Sequence, residues 1–135
     1  MVKTTIREAV TAYRILSEAK FSKIKDGDRF SAMKLMKALK GVAVPYDDYL
    51  KDVRERLKPE GFDALQGKEK LTPEEIKLIT KYERDIDECM KPELDKEVKL
   101  DFSLLSEEGM KGLLESNDFT FGQACSLYDL IGQQQ

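Results

Sequence analysis

Carboxylates are the only abundant catalytic groups in this chain, because its 135 residues include no histidine. Without imidazole there is no Ser-His or Cys-His nucleophile pair, no His-ligated zinc and no histidine general base. Glu83 and Asp87 stand one helical turn apart, and Glu93, Asp95 and Glu97 follow. Facing pairs of helical carboxylates can hold magnesium for the hydrolysis of nucleotides. Such a site needs two acidic pairs aimed at each other. Here Lys81, Arg84, Lys91 and Lys96 are interleaved with the acids, as on a solvated helix face. A metal-dependent hydrolase using Glu83 and Asp87 is therefore the least favoured reading. Asp26-Gly-Asp28 lacks the ligands and terminal glutamate of a calcium loop and reads as a turn and helix cap. No glycine-rich loop joins a strand to a helix, so no phosphate cradle is signalled. Cys89 and Cys125 lie far apart, without metal-type spacing, and read as reduced, packed thiols. The expectation is a non-enzymatic protein without a cofactor.

Lysine is the other chemistry on offer. Residues 1–58 carry 14 Lys/Arg against 8 Asp/Glu, and residues 59–135 carry 9 against 18. The halves are thus +6 and −9, and mutual attraction within the fold is the favoured meaning. Lys20, Lys23, Lys25 and Arg29 lead into Lys34, Lys37 and Lys40, a possible strip for nucleic-acid phosphates. No aromatic stacking platform or recognition helix accompanies it, so a solvated helix flank is the plainer reading. Met33 and Met36 could line a pliable groove, but core packing is expected for both.

These residues need elements to hold them. Thr5-Ile-Arg-Glu8 is a capping box opening a first helix, about Thr5 to Lys20. Lys23–Asp28 reads as a turn, with Asp28 or Ser31 capping the second helix, about Asp28 to Lys58. In that helix Met36, Leu39, Ala43, Tyr46, Leu50, Val53 and Leu57 repeat at 3 and 4, an unbroken heptad seam. The phase survives Gly41 and Pro45. A helical proline presses on the carbonyl four residues back, which here belongs to glycine. A single continuous or kinked helix follows, roughly 45 Å long.

Gly61–Leu71 reads as a loop. Thr72-Pro73-Glu74-Glu75 then caps a third helix, striped by Ile76, Ile79, Tyr82 or Glu83, Ile86 and Met90 and ending before Pro92. The second and third helices form a hairpin. Val98-Lys-Leu100-Asp-Phe102 alternates as a short strand, which must pair with the 61–70 loop or across a subunit boundary. Ser106 opens a fourth helix near 107–115, and Thr120 opens a fifth carrying Ala124, Leu127, Tyr128 and Ile131. Gln133–Gln135 reads as frayed. The expected fold is mainly α: one helical domain over 1–135, with a long hairpin, a short strand and two short C-terminal helices. The apolar runs are too short and too charged for a leader or a membrane span, so a cytoplasmic protein is expected.

The order of these features resembles a family of small uncharacterised phage and prophage proteins encoded among virion-assembly genes. Ala9-Val10 and Tyr13-Arg14-Ile15-Leu16 fit its short first helix. Met33-Lys-Leu-Met36, Leu39-Lys40 and Tyr49-Leu50-Lys-Asp-Val-Arg54-Glu-Arg-Leu57 fit its long helix. Glu97-Val98-Lys99-Leu100-Asp-Phe102 and Leu127-Tyr-Asp-Leu130-Ile131 fit its strand and last helix. Pro73 and Asn117–Gly122 lie outside the resemblance. It implies an assembly role, a virion-associated location and no catalytic residue to carry over. Together, these readings predict a helical protein–protein interaction or assembly protein, binding a protein partner or a second copy through the heptad seam. Nucleic-acid association through Lys34, Lys37 and Lys40 is the alternative.

Overall fold

The first helix is set by threonine chemistry. In the computed structural model, which describes residues 2–132, α1 (Ile6–Ser17) starts where Thr5 Oγ1 accepts the Glu8 amide. The other half of the expected capping box is diverted, because the Glu8 carboxylate accepts from Thr4 Oγ1 at 2.8 Å instead. The helix also stops at Ser17, short of the expected Lys20. The reading of Gln133–Gln135 lies outside the described residues.

The residues before α1 are extended. β1 (Val2–Thr5) pairs antiparallel with β2 (Glu97–Leu100), placing Val2 opposite Leu100 and Thr5 opposite Glu97. The expected partners of this strand, the 61–70 loop or another subunit, are therefore incorrect. β-branched Val2, Thr4 and Thr5 suit an extended backbone, and the ladder supplies partners for amides that precede the helix.

One long helix, α2 (Asp26–Leu57), carries the chain past both Gly41 and Pro45 without interruption. It begins two residues before the expected start. Lys25 occupies the cap position without a side-chain hydrogen bond, while Asp26 and Asp28 sit in the first turn and favour the helix dipole. Asp28 thus caps a different helix. Its carboxylate accepts from the amide and hydroxyl of Ser106, at 3.3 and 2.8 Å, just before α4 (Glu107–Ser116). Ser31 lies inside α2 and caps nothing.

After a short 3-10 turn at Phe62–Leu65 comes α3 (Pro73–Leu94), opened by the full Thr72–Glu75 capping box. It does not end before Pro92 but runs through it to Leu94. Pro92 has no amide to give the Glu88 carbonyl one turn back, yet the helix continues two residues past it. α5 (Phe121–Ile131) begins with the reciprocal Thr120–Gln123 box.

Two apolar clusters hang on α2. The larger joins Leu16 of α1, Leu35 and Leu39 of α2, Leu100, Leu105, Leu113 of α4, and Leu127 and Ile131 of α5. The smaller gathers Val53 with Tyr82, Ile86 and Met90 of α3, flanked by Tyr46, Leu50 and Phe62. The Tyr82 hydroxyl donates to the Arg54 carbonyl at 2.6 Å, and its ring meets Phe62 edge-on at 4.7 Å. That contact closes the α2–α3 hairpin.

The opposite net charges of the two halves meet at Lys3–Glu97, Arg7–Asp95, Lys25–Glu108 and Lys58–Asp63. Each pair has solvent access, so each contributes little to stability.

Pro45 is exposed and lacks the amide that would bond back to Gly41. Pro45→Ala should restore that bond and stabilise the fold by about 1–3 kcal/mol. Urea melts would read this, and an unchanged or lowered midpoint would refute it. The second prediction concerns pH. A hydrogen bond from the Lys68 ammonium at 2.7 Å, helped by the Thr72 amide, holds the Glu75 carboxyl below its usual range. A carboxyl lowered on folding stabilises fully above its unfolded value, near pH 4, and ceases to as pH falls through the folded one. The melting-temperature gap between wild type and Glu75→Gln should therefore shrink on acidification. A gap independent of pH would refute the assignment.

Candidate functional site

The heptad seam is spent inside the molecule. Leu39, Ala43 and Val53 are buried, and Met36, Tyr46 and Leu50 are half-buried against the two clusters. Burial raises the Tyr46 phenol above its ordinary value, against the opposing charge of Arg14. Only Leu57, 38% exposed at the helix end, departs from the expected seam. An interaction surface must be sought elsewhere.

The far side of α2 provides one. Successive helical residues turn by about 100°, so Phe30, Met33, Lys37 and Val44 share the face opposite Leu35, Leu39 and Ala43. Phe30 is 61% exposed and Met33 69% exposed, and Val44 also faces solvent. Met33 was expected in the core, and this is corrected: the half-buried Met36 packs against the larger cluster, whereas Met33 does not. Phe30 was not singled out from the sequence, although Phe30-Met33-Lys37 repeats at 3 and 4 like the seam itself.

Beside this ridge Phe21, Arg29, Ala32, Met33 and Met36 line a shallow cleft of about 420 Å³. The segment between α1 and α2 forms one wall, and polar contacts fix it. Arg29 Nε donates to the Ile24 carbonyl at 3.0 Å. Ser116 Oγ accepts the Lys23 amide, and the Asn117 side chain both accepts from the Lys20 amide and donates to its carbonyl. α4 can approach this closely because Gly112 has no side chain: a Cβ there would lie 2.6 Å from the Lys23 carbonyl oxygen.

The basic strip divides along α2. Lys34 Nζ lies 4.9 Å from the centre of the Phe30 ring, a cation–π distance. Lys34 and Lys37 line a second cleft, of about 670 Å³, together with Gly41 and with Lys99, Asp101 and Ser103 from β2 and the residues after it. Lys40 is exposed on the same helix. Lys25 pairs instead with Glu108.

The carboxylates singled out for chemistry lie at the other end of α2. Glu83 and Asp87 line a cleft of about 530 Å³ with Arg54, Glu55, Lys58 and Tyr82. Lys58 is held above its ordinary pKa chiefly by its hydrogen bond with Asp63. Among the described residues, no three Cys, Asp or Glu side chains gather closely enough to hold a metal ion. Both cysteines are free; Cys89 is half-buried, whereas Cys125 is exposed and not packed as expected. No helix among the described residues is long and apolar enough to cross a membrane.

The two faces of α2 should respond differently to truncation. Leu39→Ala removes a fully buried side chain and should cost about 2–5 kcal/mol, whereas Met33→Ala should stay within about 0.5 kcal/mol. Denaturant melts of both variants decide it, and a comparable loss for Met33 would place that residue in the core. Comparison with protein-family models, curated protein sequences and solved structures finds no match to this chain.

Proposed function

We propose that the chain is a non-enzymatic helical interaction protein that docks another protein on the outer face of α2. The observation that carries this reading is the exposed pair Phe30 and Met33, beside a cleft walled by Phe21 and Met36. Phe30 and Met33 are contiguous with an apolar cleft, unlike the singly exposed Ile76 and Phe121, and contiguous apolar surface is what a docking partner covers. The helix is packed on its opposite side, so the patch is presented on a rigid support. Methionine adds a flexible, polarisable contact suited to an apolar partner. The resemblance to phage and prophage proteins fits this reading with a role in virion assembly, in the cytoplasm or on the particle.

A photoreactive benzoylphenylalanine replacing Met33, in the cell that makes the protein, tests the reading. One discrete protein adduct is expected, identified by mass spectrometry and missing when the group replaces Lys70. No adduct, or adducts to nucleic acid alone, would sink it.

A further inference from the structure

The charges around the patch define what should occupy it. Residues 29–46 contain Arg29, Lys34, Lys37 and Lys40 and no acidic residue. Lys99 approaches from β2 to line the same cleft as Lys34 and Lys37. Among the described residues, no carboxylate forms an ion pair with Lys34, Lys37, Lys40 or Lys99, although eight other pairs form across the surface. Asp101, on the same cleft, is the one acid among its lining residues. An apolar ridge is thus flanked by a mainly apolar groove rimmed by Arg29 and, on the other side, by a cleft whose lysines have no ion-pairing carboxylate, Lys34 resting over the Phe30 ring.

We infer that this face binds an acidic amphipathic helical segment of another protein, with apolar anchors seated against Phe21, Met33 and Met36 and carboxylates over Lys34, Lys37 and Lys99. The inference rests on the interaction reading above and adds the partner's chemistry. A cleft of about 420 Å³ has room for one or two large side chains, as in helix-in-groove recognition. A bare polyanion would satisfy the lysines but leave Met33 and the Phe21 cleft uncovered. An uncharged helix would do the reverse.

The test uses the full chain and a fluorescein-labelled synthetic helix bearing Leu or Phe at alternating third and fourth positions and Glu elsewhere. Saturable binding is expected, weakening with salt. Met33→Asp should weaken it at least tenfold, and the double change Lys34→Gln and Lys37→Gln should weaken it and flatten its salt dependence. All three positions are exposed, and an unchanged circular-dichroism melt would establish that each variant folds. Absence of saturable binding at low salt would overturn the inference while leaving a Met33 protein adduct, and so the broader reading, standing. Equal binding of an all-glutamate peptide, duplex DNA or phosphatidylserine vesicles would overturn it too, because the apolar cleft would then play no part. Light scattering adds one further arm: dimerisation lost in Met33→Asp would seat a second copy there and overturn the acidic-segment assignment.

Discussion

Everything in this fold hangs on the passage of α2 through Pro45. The helix gives Leu35 and Leu39 to one apolar cluster and Val53 to another, with the proline between them. Were the chain to break there, the two clusters would lose their common axis. Gly41 makes the passage tolerable. A Cβ there would meet nothing within 4 Å, so packing does not demand glycine. What glycine contributes is latitude in the backbone whose carbonyl lies beneath the proline ring.

The N-terminal end of that rod is held by α4 through both ends of the shorter helix. Asp28 reaches Ser106 at its start, and Ser116 and Asn117 grip Lys20 and Lys23 at its end. These neutral and charge-assisted hydrogen bonds are more directional than the exposed ion pairs and fix geometry more tightly. They hold Phe21 beside Met33 and Met36. The outer face of α2 is therefore shaped by residues far away in sequence.

Local signals were legible where a side chain bonds its own neighbourhood. Thr72 and Thr120 announce their helices because hydroxyl, amide and N3 side chain all lie within three residues. The continuity of α2 was legible from the heptad phase. Long-range partners were not: nothing near Asp28 points to Ser106, and nothing near Val2 points to Leu100. Pro92 reads as a stop by the local rule, and α3 nevertheless carries on to Leu94. The candidate site was the least legible. A 3–4 repeat says that a helix has an apolar stripe, and α2 carries beside its seam a second, broken row of Phe30 and Met33. Which one faces water depends on where α1, α4 and α5 settle.

The same division of α2 sets an order of assembly. Tyr82 and Arg54 are 28 residues apart, whereas Asn117 and Lys20 are 97 apart. By loop-closure entropy alone the longer connection costs about 1 kcal/mol more, and it also requires β2 and α4 to exist first. The α3 contact thus closes early and the α4 contacts late, while α1, next to α2 in sequence, covers part of the larger cluster. Until α4 and α5 arrive, Leu35 and Leu39 have α1 as cover but lack the C-terminal part of their cluster, while Phe30 and Met33 face water. The helix then shows apolar side chains on more than one face, and its lysines are what keep nascent chains apart during that interval.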